Sequence, residues 1–194
     1  MTLYLVRHGR AEAGIEHLDP GLDAIGRSQA KAVAMALASS GVKRLVSSPL
    51  RRARETAQPI AGTLGLDAIV REDVSEVFDP DTGAAARGAM LGPLLSGVWS
   101  AQPPELRAFR ERVLAALVEL GSEPTIVVSH FVAISAAIGA ATEDDRVSPC
   151  ALANASITTF EVLGGKLVLK RAGEVAHLAR DEITTTRNAI PGRR

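Results

Sequence analysis

Cysteine is nearly absent from this 194-residue sequence. The single one, Cys150, excludes an internal disulfide framework and any cysteine-based zinc site, and it fits a reducing compartment. Aromatic residues make up only 3% of the chain, so the core that its 46% hydrophobic content can build is aliphatic, drawn from Ala, Val, Leu and Ile. An excess of charge of either sign is also missing. The 22 basic residues balance 22 acidic ones, which argues against a nucleic-acid partner. No apolar run reaches the roughly 18 residues that a membrane-spanning helix needs. The first residues show no basic region followed by a long apolar stretch and a small-residue cleavage site, so a cytoplasmic location with no membrane partner is expected. Repeats and low-complexity tracts are absent. The length suits one domain, with room for an insertion.

What is present is an alternation of short apolar runs and amphipathic stretches. Leu3-Tyr4-Leu5-Val6 reads as a first strand, and a polar loop follows from Arg10 to Pro20. Asp23 is placed to cap a helix that carries Ile25, Val33 and Leu37 and stops at Ser39-Ser40-Gly41. Leu45-Val46 forms a second strand. The next helix runs from about Leu50 to Leu64, with Ala53, Ala57, Ile60 and Leu64 on one face and Gly65 as its stop; Pro59 should kink it or loosen a turn. Ala68 to Val70 is a third strand. From about 71 to 102, Asp79-Pro80-Asp81, four glycines and Pro93 break the periodicity. This segment reads as an irregular insertion with one short helix, acting as a cap over a site, or else as a poorly ordered loop. Pro103-Pro104-Glu105 opens an amphipathic helix whose face is Leu106, Phe109, Val113, Leu117 and Leu120. Thr125 to Val128 is a buried strand that leads into a short apolar helix from about Val132 to Ala140. Gly164-Gly165 joins Ser156–Leu163 to Lys166–Lys170 as a hairpin, and the polar tail after Asp181 should fray. The expected fold is a three-layer α/β/α sandwich with a mostly parallel sheet, one antiparallel strand and a small cap insertion.

Three of these strands end in reactive groups. The first stops at Arg7-His8-Gly9, the second at Ser47-Ser48 with Arg51 and Arg52 just beyond, and the strand from Thr125 at His130. Arginine offers a planar fork for phosphate or carboxylate, histidine can act as nucleophile or acid/base, and Gly9 permits a tight turn and close backbone approach. If the strands are parallel neighbours, their carboxyl ends share one edge, where open α/β sheets bind ligands. The collected positive charge, with helix N-termini at Leu50 and Val132, calls for an anion, and a phosphoryl group is the natural guest.

Leu5-Val6-Arg7-His8-Gly9, then Ser48-Pro49-Leu50-Arg51-Arg52-Ala53-Arg54-Glu55-Thr56-Ala57, then Val128-Ser129-His130 together resemble the histidine phosphatase superfamily, also called phosphoglycerate-mutase-like. The likeness extends to Leu22–Ala30 and to Asn154-Ala155-Ser156-Ile157-Thr158. It implies that His8 is the nucleophile, forming a phosphohistidine, that Arg7 and Arg52 bind the phosphoryl oxygens, and that His130 donates a further hydrogen bond to them. It also implies a proton donor at Glu76, in Val74-Ser75-Glu76, with Glu72 and Asp73 as rivals. Gly9, Ser48 and the backbone N–H of Phe131 complete the expected phosphate-binding set, Ser48 steadying either Arg52 or the phosphate. No metal and no cofactor is called for, because the arginines do a metal's electrostatic work.

Departures from the family pattern bear on the substrate. Mutases of the family carry Thr and Asn where this chain has Ala11 and Gly14, and the family's usual glycine after the second histidine is Phe131 here. The segment after Glu76 reads Val77-Phe78-Asp79-Pro80-Asp81 in place of the usual Gly-x-Trp-Glu-Gly, and no second anion clamp is evident. A phosphomonoester hydrolase acting on a small phosphorylated metabolite is therefore favoured. The alternatives are phosphoglycerate mutase-type transfer, a protein phosphohistidine phosphatase and a non-catalytic phospho-ligand sensor. Met90, Leu91, Leu94, Leu95, Val98 and Trp99 are suited to lining a pocket, packing on the domain or forming a homodimer contact. His17 is expected to be a solvated loop histidine, His177 structural or exposed, Cys150 an inert thiol, and Arg51 and Arg54 helix-surface charges.

Overall fold

The computed structural model describes residues 1–12, 18–78 and 80–185. Within them the apolar runs become strands β1 (Thr2–Arg7), β2 (Arg44–Ser47), β3 (Ala68–Val70), β4 (Thr125–Ser129), β5 (Ile157–Leu163) and β6 (Lys166–Glu174). They share one sheet in the order β3-β2-β4-β1-β5-β6. Strands β3, β2, β4 and β1 run parallel, and β5 runs against both of its neighbours. The helices are α1 (Ala24–Ala36), α2 (Arg51–Leu64), α3 (Ala84–Leu95), α4 (Pro104–Leu120) and α5 (Phe131–Thr142). The expected α/β sandwich with one antiparallel strand is the fold that forms.

Alternation along the strands divides the core in two, because successive side chains point to opposite faces. Leu5, Val46 and Val127 pack with Phe109, Val113 and Leu117 of α4 and Ile134 of α5. Their strand neighbours Val6, Leu45, Ile126 and Val128 pack with Val33 of α1 and with Ala57 and Ile60 of α2. Asp23 caps α1 as expected, its carboxylate accepting from the Gly26 amide at 2.7 Å. Gly65, at φ +65°, closes α2 in the left-handed conformation that glycine adopts without strain. Pro59 does not interrupt α2, which runs through it to Leu64.

The segment 71–102 is more ordered than a loop. Short 3-10 turns at Glu72–Val74, Pro80–Thr82 and Trp99–Ala101 flank α3. Phe78, Leu94 and Trp99 sink into the same core cluster as Phe109, and the Trp99 amide donates to the Asp145 carbonyl at 2.8 Å. A few large anchors, rather than a periodic face, hold this insertion down, while Met90 stays exposed. The polar tail is also tied further than expected. Gln29, buried in α1, donates from Nε2 to the Glu182 carbonyl at 2.6 Å and to Thr184 Oγ1 at 3.1 Å. The expected fraying beyond that point and the placement of His17 lie outside the described residues. Among the described residues no helix is long and apolar enough to cross a membrane.

Candidate active site

Because β2, β4 and β1 are parallel neighbours, their carboxyl ends meet at one edge. Ser129 pairs with Arg7, and Val128 with Ser47. The His8 amide donates to the Ser129 carbonyl at 2.9 Å, and the Ser48 amide to the Val128 carbonyl at 3.0 Å, which locks the three strand ends together. Arg7, His8, Ser48, Arg52 and His130 are all buried there. The two imidazole rings lie 5.1 Å apart between centroids.

His8 Nδ1 donates to the Gly9 carbonyl at 2.7 Å, so the ring's lone pair is on Nε2. Arg52 Nε donates to that nitrogen at 3.3 Å. Burial, and then the charges of Arg52 and Arg7, hold the His8 pKa well below the usual imidazole range. His130 is lowered in the same way by burial, then by Arg52, His8 and Arg7. Both rings are therefore neutral at neutral pH. Arg7 donates from Nη1 to the Leu152 carbonyl at 2.6 Å and lies 5.4 Å from the centroid of the Phe131 ring. Burial lowers its pKa to about 10, which leaves it charged at neutral pH.

Ser48 sits beside His130 rather than Arg52. Its Oγ is 2.7 Å from His130 Nε2 and accepts from the Leu50 amide at 3.3 Å. The hydroxyl and the ring nitrogen share one hydrogen bond, in which Ser48 Oγ can donate or accept according to the tautomer of His130. The adjacency of β2 and β4 causes this, and it makes Ser48 a support for His130, not for Arg52. His130 Nδ1 is buried, has no hydrogen-bond partner among the described residues, and lies 3.9 Å from Glu76 Oε2. Glu76 Oε1 accepts from the Val77 amide at 2.9 Å. Burial raises the Glu76 pKa against the opposing pull of that amide, Arg52 and Arg7. The rival acids stand elsewhere: Glu72 is exposed, and Asp73 is paired with Arg71, which also binds Glu119.

Gly9 serves packing. Its amide donates to Thr56 Oγ1 at 3.0 Å. A Cβ at Gly9 would lie 2.6 Å from the Gly26 carbonyl oxygen, so only glycine lets the loop rest on α1. Phe131 is the first residue of α5, where a backbone N–H has no partner within the helix. His177 Nε2 meets the Ala155 carbonyl at 2.9 Å. Arg51 pairs with Glu55 at 2.6 Å on the helix surface. Burial pushes the Cys150 thiol up, away from reactivity. Among the described residues no group of three or more His, Cys, Asp or Glu side chains is placed to hold a metal ion.

Three supports escaped the sequence reading. Asn154 Nδ2 and the Ala155 amide donate to the His8 carbonyl at 3.4 and 3.2 Å, with Ala155 at φ +56°, a backbone region that L-residues enter only under constraint. Thr56 Oγ1, besides accepting from Gly9, donates to the Arg52 carbonyl at 2.7 Å. Asp19 accepts from the Arg51 amide with both carboxylate oxygens, at 3.1 and 2.9 Å, and its Oδ1 is 3.7 Å from Arg52 Nη1. The N-cap residue of α2 is Leu50, which has no side-chain acceptor, and that deficit was the sequence signal for a cap from elsewhere. Asp19→Ala is expected to cost about 1 kcal/mol in urea unfolding, the usual worth of an N-cap. Asp19→Asn should lose much less, since its amide oxygen still accepts. Equal losses would show that the ion pair with Arg52, not the cap, carries the stability.

Fold and site together define an α/β protein whose sheet edge gathers two neutral imidazoles, two guanidiniums and a carboxyl held toward its protonated form. The chain belongs to the histidine phosphatase superfamily (branch 1), whose pattern matches residues 3–175. It is 29% identical to the probable phosphoglycerate mutase GpmB of Escherichia coli O1:K1 / APEC, over 94% of this chain and 99% of that protein. Among solved structures it resembles phosphoserine phosphatase from Entamoeba histolytica in complex with 3-phosphoglyceric acid, with a TM-score of 0.72 and 24% identity over 92% of this chain and 99% of the other. It also resembles Bacillus stearothermophilus YhfR, with a TM-score of 0.74 and 22% identity over 91% and 98% of the two chains. A mycobacterial glucosyl-3-phosphoglycerate phosphatase matches with a TM-score of 0.65 and 24% identity over 90% and 99%. At these identities the solved structures establish the fold.

Proposed function

We propose that this protein is a metal-independent phosphomonoesterase that works through a phosphohistidine at His8. One observation carries the reading: His8 is buried and neutral, with its Nδ1 proton committed to the Gly9 carbonyl and its Nε2 beside Arg52. Nε2 attacks phosphorus, the N–P bond forms, and the ester O–P bond breaks in line. Arg7, Arg52 and His130 stabilise the charge spread over the equatorial oxygens. Glu76 gives its proton to the departing oxygen, which leaves as an alcohol. The Glu76 carboxylate then takes a proton from water, whose oxygen attacks phosphorus; the N–P bond breaks, and phosphate and neutral His8 remain.

Hydrolysis rather than mutase transfer is supported by the departures at Ala11 and Gly14, and phosphatases stand among the structural relatives. The GpmB likeness favours the alternative, mutase-type transfer, which an assay of interconversion between 2- and 3-phosphoglycerate separates. His8 is only 8% exposed, and a nucleophile so recessed suits a small phosphorylated metabolite of the cytoplasm better than a side chain on a folded protein. The test is rapid quenching with a radiolabelled phosphate ester. The expected result is an alkali-stable, acid-labile label on His8. Turnover without any label at His8 overturns the mechanism, and neither label nor turnover leaves a phospho-ligand sensor.

A further inference from the structure

The two peptide units that meet at Gly9 are both pinned from outside the loop. In the first, the His8 carbonyl accepts from Asn154 Nδ2 at 3.4 Å and from the Ala155 amide at 3.2 Å, while the Gly9 amide donates to Thr56. In the second, the Gly9 carbonyl accepts from His8 Nδ1, and the Arg10 amide donates to Gln29 Oε1 at 2.8 Å. The second unit bears on the chemistry. Its carbonyl keeps the ring proton on Nδ1 and so leaves the lone pair on Nε2.

The outer partners of these two units are joined to each other through the end of the chain. An amide N–H can only donate, so Gln29 turns Oε1 to Arg10 and has Nε2 left to give. Nε2 donates to Thr184 Oγ1 at 3.1 Å and to the Glu182 carbonyl at 2.6 Å. A carbonyl can only accept, so Asn154 turns Nδ2 to His8 and presents Oδ1 on its other side. Thr184 Oγ1 donates to that Oδ1 at 3.1 Å. Both ends of the chain of bonds are backbone groups of the loop 8–10, each with one role, so the direction of every bond between them is fixed. Gln29 is wholly buried and Asn154 nearly so. The Thr184 hydroxyl is the one link that accepts from one of them and donates to the other. Without it, nothing on that side selects which end of the Asn154 amide faces His8, and a turned amide would set oxygen against oxygen.

We propose that Thr184 is a positioning residue for His8, its hydroxyl closing a hydrogen-bonded circuit from the Arg10 amide to the His8 carbonyl that keeps the imidazole in the tautomer with Nε2 free to attack. This rests on the hydrolase reading above and deepens it. Thr184 touches no reacting atom; it acts through the two peptide units beside Gly9.

Thr184→Val tests this, since it keeps the shape of the side chain and removes the hydroxyl. The segment stays docked, because the Asn154 amide still donates to the carbonyl of residue 184, at 2.8 Å, and Gln29 still donates to Glu182. The chain has four histidines, which are labelled with ¹⁵N, and the His8 ring resonances are identified by their loss in His8→Ala. The native ring should show a protonated Nδ1 and a bare Nε2. Thr184→Val should draw the two resonances toward each other as the tautomers mix, and lower kcat for p-nitrophenyl phosphate about tenfold with KM little changed. Thr184→Ser should recover most of both. A native proton on Nε2, unmoved ring resonances in Thr184→Val, or equal shifts in the Val and Ser variants overturn the inference, even if the melting temperature falls. Absence of turnover in the native protein overturns the hydrolase reading instead, and the ring resonances still decide whether Thr184 sets the tautomer.

Discussion

His8→Ala is expected to abolish turnover of p-nitrophenyl phosphate, by about 10⁴-fold or more, while the protein stays folded. The loss is large because the proposed route has no substitute nucleophile: His130 Nε2 is engaged by Ser48, and its Nδ1 faces Glu76. The fold survives because the imidazole bonds only to its neighbour's carbonyl and to Arg52, while the backbone of residue 8 keeps its bonds to Ser129, Asn154 and Ala155. Circular dichroism and a melting curve check the fold, and phosphate release checks the chemistry. Activity comparable to the unaltered protein would refute His8 as nucleophile.

Glu76→Gln is expected to lower turnover of an alkyl phosphate about 10²- to 10⁴-fold, and of p-nitrophenyl phosphate much less, because a nitrophenolate leaves without a proton. The pH profile carries a second signature. Glu76 must be protonated to act as acid, and burial raises its pKa above the ordinary carboxyl range. As pH rises through that raised value the acid is lost, so kcat/KM for an alkyl ester falls on the alkaline side. His8, lowered by burial and by Arg52, becomes protonated only well below the ordinary imidazole range, so it sets no limb near pH 6.5. Glu76→Gln should erase that alkaline limb. An alkaline limb that survives the substitution would assign the acid to another group.

The strand ends were legible because each is an apolar run that stops at a cation, an imidazole or a serine, and such a run can only be a buried strand opening onto an edge. The order of the strands was not written locally. That β4 lies between β1 and β2 decides that Ser48 meets His130, and no residue near Ser48 announces it. Gly9 was recognised as a place of close approach, but the partner of its amide, Thr56, lies 47 residues away. Glu76 was reached through the resemblance, and the fold places it beside His130 while leaving Glu72 exposed and Asp73 bound to Arg71. Asp19 escaped because its meaning depends on which helix end it approaches. The insertion looked irregular because its anchors, Phe78, Leu94 and Trp99, follow no period.

The central place of β1 has a consequence for how the molecule comes into being. The strand's flanking partners are β4, at residues 125–129, and β5, at 157–163, both made long after it. Until both have been synthesised, the segment bearing His8 has no edges to bond to, and the carbonyl of His8 waits for Asn154 and Ala155. Folding therefore cannot advance steadily from the amino end; it must hold open a closure spanning more than a hundred residues, the kind of long-range pairing that slows a chain. The imidazole of His8 is therefore seated only after strands more than a hundred residues further along the chain have been made.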